Sequence, residues 1–240
     1  MTLSAKQQLR LRAKSVEFRL PLRLEKAAVK VVPGLRSDPW LPGERELGVI
    51  FTHVPKSAGT SIVDSLFGQK SRHVPILRYA AHDEQRFAES FKFTFVRNPW
   101  SRIHSAYHYL HRVVGKGDKF VDWTWATHYL SDVPTFEEFI LRLRDPRYLR
   151  EVKRYAHFRD QMDWISIPGR GGGGMDFIGR FESLDADFQN VCDRLGLRDL
   201  SLPQLRAGTG QDYRKAFTAE MVDIVGDIYQ RDIRALGYDF

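Results

Sequence analysis

The chain has 240 residues, 42% of them hydrophobic, enough to bury a full-sized core in one domain with a helical subregion. Its one cysteine, Cys192, excludes an intrachain disulfide, and no window approaches the roughly 18 uncharged apolar residues of a membrane-spanning helix. Net charge is +7, but residues 1–40 hold nine Lys/Arg against three Asp/Glu, which leaves the body nearly neutral. That weighs against a nucleic-acid partner, and no finger, ribbon or RNP pattern is present.

Residues 1–47 read as a basic N-terminal arm, partly helical over 4–30 and interrupted at Pro21. A turn-rich lead with Pro33-Gly34, Pro39 and Pro42-Gly43 follows. Leu9, Leu11, Val16, Leu20, Leu22 and Leu24 interleave with the charges. Such an arm can pack on the body, join a homodimer, or make peripheral contact with an anionic membrane surface. The arm contains no apolar signal-peptide core, so the expected compartment is the cytoplasm, membrane-peripheral if the arm binds lipid.

Residues 48–54, GVIFTHV, predict a buried strand that breaks at Pro55 into a small-residue turn. A helix follows with Ile62, Val63, Leu66 and Phe67 on one face, ending near Gly68. The turn points free backbone N–H groups and the positive helix end at one place, where Lys56 adds a full charge, so the expected ligand is phosphate-like. It is not a Walker A loop, because the lysine precedes the small residues and Gly59 is the only glycine among them. That removes the main support for a nucleotide kinase or NTPase.

Further along, 71–79 has no clear period and reads as loop or extended chain, and a short helix fits 83–90. FKFTFV over 91–96 predicts the second strand, with Arg97-Asn98-Pro99 opening a helix whose core face carries Ile103, Ala106, Tyr107, Leu110 and Val114. Residues 115–135 lack a clean period; Thr135 can cap a helix to about Leu143, and another runs from Arg147 to His157. The span 115–170 is too long for a simple connection and reads as a helical excursion on the substrate side. Pro168 leads into a glycine run expected to be a mobile loop, and 175–181 predicts the third strand. The helix after it carries Leu184, Phe188, Val191 and Leu195 and stops at Gly196, with Cys192 buried as a small side chain. Thr218 caps a last helix ending at Gly237. Alternating strands and helices make the fold class α/β, with a central mostly parallel sheet flanked by helices and ligands beyond the carboxyl ends of the strands.

Three segments together resemble a known family: THVPKSAGTS over 52–61, FKFTFVRNPWSR with SAY over 91–107, and FIGRFESL over 177–184. The chain is similar to the sulfotransferases that use 3′-phosphoadenosine 5′-phosphosulfate (PAPS), in the carbohydrate sulfotransferase branch of family 2. The similarity runs from about residue 48 to Phe240. It implies a P-loop-like three-layer fold, with 48–240 as a single sulfotransferase domain, and transfer of a sulfuryl group to a hydroxyl by in-line displacement. Pro55, Lys56, Ser57, Ala58, Gly59, Thr60 and Ser61 would hold the 5′-phosphosulfate. Arg97 and Ser105 would take the 3′-phosphate, and Arg180 would help close the nucleotide site, unless it only pairs with Glu182.

Lys56 is the expected catalytic cation, His73 the favoured general base, and His157 an acceptor-binding residue or alternative base. His53 is expected to pack at its strand end, and His82 is a further base candidate. No metal is required, and His104, His108 and His111 read as helix surface with His108 able to face a ligand. The Ser57-Ala58 pair departs mildly from the family's usual loop. The lack of an anchor points to a soluble microbial member, and to a hydroxylated carbohydrate or glycolipid-like acceptor in place of a proteoglycan. A noncatalytic interaction protein on a degenerate sulfotransferase fold is the alternative. Trp123, Trp125, Tyr129 and Trp164 can stack on sugar rings or serve as core.

Overall fold

Val49–Thr52 (β1), Phe91–Val96 (β2) and Phe177–Arg180 (β3) pair in chain order, and every pairing is parallel. The computed structural model describes Ser4, Gln7 and residues 37–117, 120–168, 174–203 and 212–240. The expected arm therefore lies outside the described residues up to 36, apart from Ser4 and Gln7, and so do 169–173 of the glycine run. The helices, in chain order, are α1 (Pro42–Leu47), α2 (Gly59–Phe67), α3 (Ile76–His82), α4 (Glu84–Glu89), α5 (Pro99–His111) and α6 (Val121–Leu130). They continue as α7 (Phe136–Arg142), α8 (Pro146–Arg154), α9 (Met162–Ile165), α10 (Leu184–Leu195), α11 (Ala219–Ile228) and α12 (Gln230–Leu236).

The described chain divides into two compact units. The sheet unit holds β1–β3 with α1–α4, α9 and α10; the helical unit holds α5–α8, α11 and α12. In the sheet unit the strand period of two sorts side chains onto two apolar clusters. Val49, Phe51, Phe93 and Phe95 pack with Ile62 and Val63 of α2 and Phe188 and Val191 of α10. Ile50 packs on the other cluster with Trp40, Ile76, Leu77, Tyr79 and Phe87. The sheet is thus an α/β sheet flanked by helices, buried on both faces as parallel strands require. Register sets Thr52 beside Thr94 and Val96 beside Arg180, so the three carboxyl ends share one edge. β3 lies this close to β2 only with glycine at 179, since a Cβ there would sit 2.6 Å from the Phe95 ring.

The helical unit is stabilised by aromatic packing: Trp125 stacks on Tyr155 with ring centroids 4.4 Å apart, and Tyr107 on Phe139 at 5.2 Å. Helix ends follow their local signals. Asn98 Oδ1 accepts from the Trp100 N–H at 3.0 Å with Pro99 in the first turn, and Thr135 and Glu138 close a reciprocal capping box. Thr218 caps α11 through the Met221 N–H, and Gly196 and Gly237 take left-handed φ values of 68° and 65° as C-terminal stops.

Several expectations are corrected. Pro42-Gly43 opens α1, its proline in the first turn where no N–H is needed. Within the aperiodic 71–79 stretch lies the start of α3, in which Ile76 to Ala80 are all buried, Arg78 included, so no polar face exists to give a period. Within 115–135 lies α6, obscured for a related reason: Thr124, Trp125, Ala126 and Leu130 are buried and aromatic side chains fill much of the rest. The last helix is two, broken at Tyr229, whose hydroxyl donates to the Phe158 carbonyl at 2.7 Å. The helix expected to reach His157 ends at Arg154 and becomes a single 3₁₀ turn over Ala156–Phe158. Cys192 is fully buried, as expected, with burial raising its thiol pKa.

Glu44 of α1 is 1% exposed, and its carboxylate accepts the Leu41 N–H at 2.6 Å and the Phe51 N–H of β1 at 2.9 Å, with the Tyr79 hydroxyl at 3.4 Å. Desolvation outweighs these bonds and pushes its pKa from the ordinary 4.5 up to about 7. The folded state therefore holds this proton more tightly than the unfolded chain. The stability it contributes is full below pH 4.5 and is lost as pH rises to about 7. We expect wild type to lose about 3 kcal/mol more than Glu44→Gln between pH 4.5 and 7.5 in urea unfolding, at about 1.4 kcal/mol per pKa unit. Equal pH slopes in the two proteins would remove the buried-carboxyl explanation.

Candidate functional site

In the turn between β1 and α2, Lys56 and Ala58 have φ of 71° and 63°, a left-handed backbone that costs a non-glycine residue about 1 kcal/mol or more. Between them Ser57 is 1% exposed, and its hydroxyl meets no hydrogen-bond partner among the described residues. Ala58 is the N-cap of α2, so no side chain caps this helix. The amides of Gly59, Thr60 and Ser61 stand in its first turn, where a helix supplies no acceptors of its own. Ile62 N–H makes the first helical bond, to the Ala58 carbonyl at 3.2 Å. A half-buried lysine, a helix start without a side-chain cap and a buried hydroxyl that meets no partner among the described residues give this turn donors of the kind that an oxyanion accepts from.

Arg97, the residue after β2, meets this turn. Its Nη1 donates to the Lys56 carbonyl at 3.2 Å, and its guanidinium lies 3.9 Å from the ring centre of Phe181, just past β3. Its main chain is held by Gln161: the Arg97 N–H donates to Oε1 at 2.8 Å, and Nε2 donates to the Arg97 carbonyl at 2.7 Å. Lys56, Arg97 and Phe181, the residues after the three strands or in the turn that follows, are thus joined by direct contacts. Arg180 itself is half-buried at the end of β3, its N–H donating to Asp187 Oδ2 at 2.7 Å.

His53 is buried at 4% exposure, stacked on Phe51 and against His73, whose ring centre is 4.1 Å away. Its Cδ2 would stand 2.0 Å from a Cβ on residue 59, so Gly59 is where the strand end and the start of α2 touch. His73 is exposed, and its Nδ1 lies 3.2 Å from the His53 carbonyl. A carbonyl only accepts, so Nδ1 carries the hydrogen and, in the neutral ring, the basic lone pair sits on Nε2. Trp164 flanks His73 with ring centres 5.8 Å apart and is itself 1% exposed.

Ser105 and His157 belong to the helical unit. Ser105 is half-buried on α5. His157 is 8% exposed, with Nε2 3.6 Å from Asp122 Oδ2. Asp122 also accepts from Tyr109 at 2.8 Å and from Tyr155. Burial alone would raise the Asp122 pKa, but the hydrogen bond and charge of His157 and the two tyrosine hydroxyls hold it well below the usual carboxylate range. Arg102, 1% exposed, donates to the carbonyls of His157, at 3.1 Å, and Arg159. His104 and His108 stand with Nε2 atoms 3.0 Å apart on α5, and no group of three or more potential metal ligands occurs among the described residues. No helix of the described residues is long and apolar enough to cross a membrane. Trp125 is core at 2% exposure, and Trp123 and Tyr129 are partly buried.

Sequence reading missed Gln161, Asp122 and the burial of Arg102. Asp122 lies in a stretch without a motif and Gln161 in the segment singled out only for His157, and proximity in space reveals their partners. Fold and chemistry together define an α/β protein with a cationic turn at the carboxyl edge of a parallel sheet. The sequence model of the sulfotransferase family matches residues 44–239, most of the chain, and the chain belongs to that family. Comparison with curated proteins and with solved structures returns no match.

Gly59→Ala should strain the turn by driving a methyl group into the His53 ring, costing about 1–3 kcal/mol. Thr60→Ala, at an exposed neighbour, should stay within about 0.5 kcal/mol of wild type. Thermal melts of both variants check this, and a Gly59→Ala melting temperature equal to wild type would mean that the His53 contact is not constraining.

Proposed function

We propose that the protein is an O-sulfotransferase that moves the sulfuryl group of PAPS to a hydroxyl of a carbohydrate-like acceptor. The observation that carries this reading is the contact between Arg97 and the Lys56 turn at the strand ends, in a chain of the sulfotransferase family. On this reading the β1–turn–α2 unit is P-loop-like within a three-layer fold. The amides and hydroxyls of Ser57 to Ser61 hold the 5′-phosphosulfate. Arg97 offers a planar fork to the 3′-phosphate, and Ser105, assigned from sequence, adds a hydroxyl. Arg180 helps close the nucleotide site.

The acceptor hydroxyl oxygen attacks sulfur while the bond from sulfur to the phosphate oxygen breaks, and adenosine 3′,5′-bisphosphate leaves. Negative charge grows on that oxygen in the transition state. Lys56 and the first-turn amides of α2 accelerate the step to the extent that they bind it more tightly there. The acceptor proton goes to His73, whose fixed tautomer leaves Nε2 as the accepting nitrogen. His157, oriented by Asp122, binds acceptor or serves as the other base. The proposed location is cytoplasmic, with the basic arm free to touch membrane or a second copy of the chain.

Calorimetry should find adenosine 3′,5′-bisphosphate bound more tightly than adenosine 5′-monophosphate by wild type, with the preference lost in Arg97→Ala. Lys56→Ala should lower kcat more than it weakens bisphosphate binding. His73→Ala should lower kcat by about 10²–10⁴. Equal affinity of wild type for the two nucleotides would overturn the 3′-phosphate assignment. Unchanged turnover in His73→Ala would move the base role to His157.

A further inference from the structure

We infer that Gln161 is a positioning residue for nucleotide recognition, its carboxamide holding the main chain of Arg97 so that the guanidinium is pre-set for a 3′-phosphate. This rests on the donor-site reading above. The need for such a residue comes from the sheet register. β1 makes its last pairing at Thr52 with Thr94, and β3 makes its last at Arg180 with Val96. Arg97 is therefore one residue past the last paired position of the ladder, and half-buried.

Gln161 takes both of its main-chain groups. One planar side chain accepts from the Arg97 N–H at 2.8 Å and donates to the Arg97 carbonyl at 2.7 Å. Gln161 is 0% exposed, so water does not compete for these bonds. Fixing the peptide groups on both sides of the Arg97 Cα also fixes the direction of its Cα–Cβ bond. From there the side chain reaches the Lys56 carbonyl at 3.2 Å and lies over Phe181. An arginine pre-set in this way loses less rotamer entropy when an anion binds. A residue that only satisfied a buried backbone would affect stability and leave nucleotide preference alone.

The test is the ratio of Kd values for adenosine 5′-monophosphate and adenosine 3′,5′-bisphosphate, measured by calorimetry on full-length wild type, Gln161→Leu and Gln161→Glu. Gln161→Leu removes both bonds and should cut the preference for the bisphosphate by about tenfold, with monophosphate affinity within about twofold of wild type. A neutral glutamic acid keeps one acceptor and one donor in the same places. Gln161→Glu should therefore match wild type at acidic pH and fall away from it as pH rises and the buried carboxyl ionises. If Gln161→Leu does not fold, the divergence of Gln161→Glu from wild type across pH decides alone. Unchanged ratios in the folded variants would overturn the positioning role. A wild type without preference for the bisphosphate would instead overturn the donor-site reading and this inference with it.

Discussion

The hydrogen bond from Arg97 to the Lys56 carbonyl ties the turn after β1 to the residue after β2, and the chemistry of the sheet unit is arranged around that tie. It depends on parallel pairing. Only strands that run the same way bring their carboxyl ends, and so the loops that follow them, to one edge. The tie also puts two cationic residues in neighbouring positions, an arrangement that suits a doubly anionic ligand better than a neutral one. The left-handed backbone at Lys56 and Ala58 is a cost held in place by this surrounding structure.

The two histidines proposed for chemistry differ in how they are held. His73 is exposed and takes its tautomer from a main-chain carbonyl, which leaves its basic nitrogen on the side away from that contact. His157 is buried against a carboxylate that is kept ionised by two tyrosine hydroxyls and by the histidine itself. Such a pair stabilises an imidazolium and orients the ring. The main chain of the His157 segment is fixed separately, by Arg102 and Tyr229. The Arg102 guanidinium, through both Nη atoms, and the Asp122 carboxylate are thus hydrogen-bonded, as buried charges in a low-dielectric interior are.

Much of this architecture is legible in the order of the residues. The three strands show as aromatic and β-branched runs, and Pro99 in a first turn, the caps at Thr135 and Thr218 and the stops at Gly196 and Gly237 are short-range chemistry that a linear reading captures. Helices α3 and α6 are not legible, because a helix buried on most sides has no polar face to set a period. Glu44 bonds the nearby Leu41 N–H, as a first-turn acid can, but its burial also takes the Phe51 N–H of β1 and the Tyr79 hydroxyl, which the local sequence does not show. Gln161 lies four residues after His157 in a segment that marks the histidine, and nothing there marks its own hold on Arg97.

By itself, then, the sequence determined the strand–turn–helix units, the lysine turn and the family, since each of these rests on residues close together along the chain. Tertiary structure alone decided that Arg97 would sit on the Lys56 turn, that Gln161 would complete the ladder beyond Val96, and that Asp122 would face His157. These contacts join residues 41, 64 and 35 positions apart. Local propensity has no term for such separations. They are settled only when strand register and core packing choose which distant side chains share a place.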